Sequence, residues 1–70
     1  MMSQEAKERL KKHLPKIMLW RSDRSLNLDL NERQEIYDTI REVEPQYKVK
    51  WFCTHCVGEM LDKAYNYIHS

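Results

Sequence analysis

One glycine, two prolines and two cysteines in 70 residues leave little with which to build tight turns. That scarcity argues against a sheet built on many hairpins and for a few helices with short joints. No apolar run approaches the roughly 18 residues of a membrane span. Met1 to Lys12 also lacks the apolar centre of a signal peptide. The expectation is therefore a cytoplasmic protein with no membrane partner, in which thiols stay reduced and two nearby cysteines hold metal or remain free. Internal repeats and low-complexity segments are missing as well, so residues 1–70 read as a single helical domain.

What is present suits a folded chain: 41% of the residues are apolar and 33% charged. A chain this short buries only about 60% of the surface it exposes when unfolded. Below about 70–80 residues a core alone rarely supplies more than about 3–5 kcal/mol, so a metal or a second chain is a reasonable addition to look for. Net charge is +1, yet its distribution is uneven. Met1 to Arg24 carries seven basic and three acidic residues, and Ser25 to Gln46 carries two basic and six acidic. Either the two halves attract each other within the fold or the basic end meets an anionic partner.

Apolar spacing marks the stretch from Trp51 to Ile68 as the one the rest is organised around. Val57, Met60, Leu61, Ala64, Tyr67 and Ile68 recur every three or four residues, the stripe of an amphipathic helix that needs a partner surface. Thr54 is placed to cap it, and Gly58 in its early turns predicts close approach of another backbone. Upstream, Ser3 and Glu5 open a first helix with Ala6, Leu10 and Leu14 on one face and Glu8 paired to Lys12. Pro15 ends that helix near His13, and a second short element carries Ile17, Met18, Leu19 and Trp20 into the core. Arg21 to Arg24 reads as a loop.

Leu26, Leu28 and Leu30 alternate with polar residues, as an extended arm whose leucines lock onto the core. Asp29 with Glu32, and Asn31 with Gln34, resemble capping boxes. Ile36, Ile40 and Val43 then define the clearest helix, flanked by Tyr37 and stopped by Pro45. Tyr47, Val49 and Trp51 alternate with Lys48 and Lys50 in the following joint. The expected fold is a compact all-α bundle of three or four helices. Its alternative is a small α+β domain in which that joint pairs with Leu26 to Leu30 as a two-stranded ribbon. The expected core comprises Leu10, Leu14, Ile17, Leu19, Trp20, Leu28, Leu30, Ile36, Ile40, Val43, Trp51, Val57, Leu61, Ala64 and Ile68.

Cys53 and Cys56 have the spacing of half a zinc site, because two thiolates three apart at a helix start can both turn toward one ion. Four ligands are needed to close it. His55 lies between the cysteines and points away from them, and His69 sits almost 20 Å along a continuous helix at about 1.5 Å per residue. That leaves His13, through tertiary packing, or the cysteines of a second chain; otherwise the pair packs as small apolar groups. Redox and nucleophilic roles are disfavoured: there is no room for a thioredoxin-like sheet, and no third group orients His55.

Tyr47, Lys48, Lys50, Trp51 and Phe52 mix charge with aromatics, as single-stranded nucleic-acid binders do, and Lys7, Lys11 and Lys12 add a basic helical face. Against this, the total charge is nearly neutral, and Trp51 and Phe52 have the alternative use of plugging the core. The acids Glu32, Glu35, Asp38, Glu42 and Glu44 read as the solvated face of their helix.

Residues 31–68 also resemble small uncharacterised proteins of bacteriophages and related mobile elements. The features shared are Glu35-Ile36-Tyr37-Asp38, a short joint, the Cys-x-x-Cys pair, and a terminal helix like Met60-Leu61 through Tyr67-Ile68. The resemblance implies an accessory protein that binds and modulates a host or defence protein, not an enzyme, and it assigns no site. The leading expectation is a non-catalytic protein-binding module, with a homodimer as one form of it. The alternative is a small nucleic-acid-binding protein using Lys7, Lys11, Lys12, Lys48, Lys50 and Trp51. Zinc on Cys53 and Cys56 is the only cofactor in view.

Overall fold

In the computed structural model, which describes residues 2–70, the longest helix is the last one, Thr54–Ile68. Three others precede it: α1 (Gln4–Lys11), α2 (Leu14–Asp23) and α3 (Leu30–Arg41), so the terminal helix is α4. No strand forms among the described residues, and the two-stranded ribbon is thereby excluded. Helix α4 packs against each of the other three, and α1 also lies along α3. Its buried face is Val57, Gly58, Met60, Leu61, Ala64 and Ile68. Against that face sit Met2, Ala6 and Leu10 from the N-terminal side, Ile17 and Trp20 from α2, and Leu28, Ile36 and Ile40 from the third quarter.

Local signals explain where the helices start and stop. Ser3 accepts a bond from the Ala6 N–H at 3.1 Å and caps α1. Pro15 falls in the first turn of α2, where its missing N–H costs no helical bond; it opens a helix there, and α1 has already ended at Lys11. The expected loop at Arg21 to Arg24 is instead the last turn of α2. Arg21 holds it, bonded to Asp62 at 3.1 Å and stacked 4.0 Å above the Tyr65 ring of α4. Arg24 then turns left-handed (φ 58°) and ends the helix with its N–H on the Trp20 carbonyl. Asp29 and Glu32 do form the reciprocal capping box of α3, at 2.8 and 3.0 Å. Asn31 and Gln34 do not, because Asn31 already lies inside the helix.

Several residues expected in the core lie outside it. Leu30 is 75% exposed, Trp51 38% and Leu19 37%, while Leu14 and Val43 are half-buried. Helix phase accounts for two of these. Ile17 and Trp20 face α4, so at about 100° per residue Met18 and Leu19 turn outward. Leu30 stands six positions before Ile36, about 120° away from the buried stripe of α3. The leucine alternation therefore marks no strand: Leu28 is buried, Leu26 half-buried, and Leu30 begins a helix on its outer side.

Gly58 has a sharper reason than backbone proximity. The indole of Trp20 lies flat enough over it that a Cβ would overlap the six-membered ring. The close approach is thus an aromatic side chain and not a second backbone. Trp20 is buried with its Nε1 unbonded, a cost the ring's packing must offset.

The opposed charges of the chain meet inside the fold. Arg9 pairs with Glu42 at 2.6 Å, Lys12 with Glu35 at 3.3 Å and Lys16 with Glu32 at 2.8 Å, which ties α1 and the start of α2 to α3. Between these pairs lies buried His13, its Nε2 2.5 Å from Glu35 and its Nδ1 3.8 Å from Glu32. Lys12 is drawn to α3, so Glu8 takes Lys11 at 3.7 Å and not Lys12. Glu44 likewise accepts from the Tyr67 hydroxyl at 2.8 Å and pairs with Lys63 at 3.1 Å. Four of the five acids expected merely to keep α3 wet are therefore holding partners, and Asp38 accepts from Gln34. Exposed pairs of this kind contribute about 0–1 kcal/mol each, whereas His13 leaves a buried donor unpaired if its carboxylate is lost.

Two predictions follow from the packing and the charges. Gly58→Ala in a solvent-facing helix would gain about 1 kcal/mol. Here overlap with Trp20 should reverse the sign and cost about 1–3 kcal/mol in urea unfolding. The carboxyls of Glu35 and Glu32 are held below the usual range, the first by the His13 bond and then Lys12, the second by Lys16 and then the Asp29 N–H. Their folded values lie below the unfolded one, so the unfolded chain binds more protons in acid. This stability is complete above about pH 4.5 and lost as pH falls below it, and Glu35→Gln should flatten that acid limb in urea melts taken at successive pH values.

Candidate functional site

The joint between α3 and α4, residues 42–53, gathers the chain's exposed aromatics. Tyr37 on α3 organises it: its hydroxyl donates to the Tyr47 carbonyl at 3.1 Å, and its ring meets Trp51 edge-on, with centroids 5.3 Å apart. The Tyr47 ring lies 6.0 Å from the Tyr37 ring, and the Arg41 guanidinium stands 5.5 Å above the latter while bonding the Pro45 carbonyl. Tyr47 and Val49 turn inward and Lys48 and Lys50 outward, so the alternation holds over residues 47–50 with no strand to carry it, and it fails at exposed Trp51. Such edge-to-face contacts add about 0.5–1.5 kcal/mol beyond area burial, enough to hold Trp51 in one place without covering it.

Trp51 and Phe52 do not plug the core. Tyr37, Tyr47 and Val49 already occupy the inner side of the joint, which leaves Trp51 on the rim and Phe52 88% exposed. Leu30, Gln34 and Trp51 line an open cleft of about 300 Å³. Leu30 and Gln34 are four apart on the outer face of α3, so one wall is a helix surface and the other an aromatic ring braced by Tyr37. The outward phase of Leu30 relative to Ile36 was the available sequence signal for this wall. The role of Tyr37 had none.

Beside that rim stand the two cysteines, both free and both partly exposed. Cys53, and not Thr54, caps α4: its Sγ accepts from the Cys56 N–H at 3.2 Å. The neighbouring Cys56 thiol, the N–H groups of Cys56 and His55, and Lys50 hold Cys53 below the usual thiol range. Cys56 is pushed up, chiefly by Cys53 and by burial.

None of the three histidines joins them. His55 points out to Glu59 at 3.1 Å, His69 lies 4.4 Å from the Tyr65 ring near the other end of α4, and His13 is held between Glu32 and Glu35. Among the described residues no three His, Cys, Asp or Glu side chains gather in an arrangement that holds a metal. Cys53 and Cys56 stand as a pair.

The six candidate nucleic-acid contacts divide into two groups. On α1, Lys7 donates to the Ser70 carbonyl at 2.9 Å, Lys11 lies by Glu8, and Lys12 is paired to Glu35. On the joint, Lys48 and Lys50 are exposed, with no carboxylate within 4.0 Å among the described residues, and flank the aromatic rim formed with Trp51. Comparison with protein-family models, curated proteins and solved structures gave no match, so function must be read from these residues themselves.

Proposed function

We propose that the protein is a non-catalytic protein-binding module that receives its partner on the edge formed by Leu30, Trp51 and Phe52. The observation that supports this is the pairing of two large, nearly bare apolar side chains, Leu30 and Phe52, with a cleft one of them lines. Single exposed apolar residues are ordinary, whereas a cluster around a concavity marks a contact surface. Aromatic anchors at the centre of such surfaces carry most of the binding energy. Trp51 is suited to the part, being braced by Tyr37 before any partner arrives, so little side-chain freedom is lost on binding. The likeness of residues 31–68 to phage accessory proteins suggests a host or defence protein as the partner class.

A second reading is supported by Lys48 and Lys50, which flank Trp51 with no carboxylate within 4.0 Å among the described residues. In that reading the rim stacks bases of a single strand while the lysines meet phosphates. The lysines of α1 add less to it than expected, since Lys12 is engaged with α3.

Phe52→Ala separates site from scaffold. Its side chain is outside the core, so stability should change by no more than about 0.5 kcal/mol. Affinity for a partner recovered with the tagged protein and then purified should fall about tenfold or more by calorimetry. Unchanged affinity would remove this edge from the function. Binding of a fluorescent oligothymidylate at low salt, weakening steeply as salt rises and lost in Lys48→Ala/Lys50→Ala, would favour the second reading instead.

A further inference from the structure

We propose that Cys53 and Cys56 are half of a zinc site that a second copy of the chain completes, linking two protomers through one tetrahedral Zn(Cys)4 centre. The inference rests on the exposed edge at residues 51–52 being a contact surface, and it names one occupant of that surface. Its foundation is the geometry of the pair.

The Cys56 N–H directed at the Cys53 sulfur at 3.2 Å is the kind of backbone contact that orients a thiolate ligand and spreads its charge. The pair is also in the wrong place for thiols that merely fill space. Neither sulfur belongs to the buried cluster, and the residues beside and between them, Phe52 and His55, are among the most exposed in the chain, His55 at 79%. A closed zinc site takes four ligands at about 2.0–2.3 Å. Within one chain they are not supplied: each histidine is engaged elsewhere, and no third ligand-bearing side chain gathers at the cysteines among the described residues. A two-fold axis through the ion supplies the missing two, because an isologous contact presents the same patch from each copy.

The neighbouring residues suit that arrangement. A contact centred on Cys53 takes in its neighbour Phe52, the most exposed aromatic in the chain. Lys50 of each copy opposes the charge of the centre, which is −2 when all four sulfurs are thiolates. The chemistry balances without a redox step: one Zn²⁺ binds four thiols and releases four protons to solvent, each sulfur donating a lone pair.

The test uses the full chain, reduced and freed of metal with a chelator, then titrated with Co²⁺ and with Zn²⁺. The expected result is saturation at half an equivalent of metal per chain, with doubling of the mass by light scattering and reversal to monomer on adding EDTA. The cobalt form should show tetrahedral visible bands and a near-ultraviolet sulfur-to-metal band of the intensity of four thiolates. Cys53→Ser and Cys56→Ser should each abolish metal uptake and dimer together, while His55→Gln leaves both intact. Their helical content, read by circular dichroism, should match that of the metal-free parent, since neither sulfur is core. No uptake, one metal per monomer, a two-thiolate spectrum, or a dimer that persists without metal would each overturn the proposal. Failure here and failure of the partner-binding reading are distinguishable: the metal titration contains no partner, and Phe52→Ala can be assayed against a purified partner in EDTA.

Discussion

The apolar stripe of α4 is the surface every other helix requires. α1, α2 and α3 each bury one narrow face, and each of those faces ends on Val57, Met60, Leu61, Ala64 or Ile68. Small residues make this possible. Ala64 and Gly58 keep α4 slim at the points where neighbours come close, and the missing Cβ of Gly58 is the space taken by the largest core side chain, Trp20. A chain of this length has no second core to fall back on, so its stability margin depends on that one shared surface.

Charge closes the bundle that apolar burial begins. The basic N-terminal third and the acidic third quarter attract each other as α1 lies along α3, and buried His13 meets half-exposed Glu35 at the centre of that seam. Individual pairs at the rim contribute little, but they set which faces meet, since a different register would set like charges against each other. A consequence reaches the function. With α1's lysines and arginine largely engaged within the fold, the lysines with no carboxylate within 4.0 Å among the described residues that stand beside exposed aromatics are those of the joint, Lys48 and Lys50. The joint thus brings exposed aromatics and lysines beside the thiols, and the start of α3 adds Leu30 to the same edge.

Much of the architecture was legible in the residues. The stripe of α4, the capping box at Asp29, the Ile36–Ile40 face and the Ser3 cap rest on local spacing and local hydrogen bonds, which sequence displays directly. Leu19, Leu30 and Trp51 lie outside the expected core because apolar character says only that a residue prefers burial. Which side of a helix wins is settled by neighbours distant in sequence. The break near His13 and the second element beyond it stand as expected; what the sequence leaves open is that Pro15 itself belongs to the first turn of α2. The place of Gly58 against an aromatic ring, the engagement of Lys12 with α3, and Tyr37 bracing Trp51 are tertiary facts with no local signature. The cysteine pair and the unsuitability of His55 and His69 are legible in the spacing, and the fold is needed only for His13, which it holds between Glu32 and Glu35.

The claim that α4 is completed by its own chain is the one on which the rest depends, and native-state amide hydrogen exchange of the isolated metal-free protein tests it most directly. The account predicts that the amides of Leu61, Ala64 and Lys63 exchange only through global opening, at the free energy measured by urea unfolding and together with those of Ile36 and Ile40. Rapid exchange along α4 while α1 and α3 remain protected would contradict it, because the surface assigned to the centre of the fold would then be open to water.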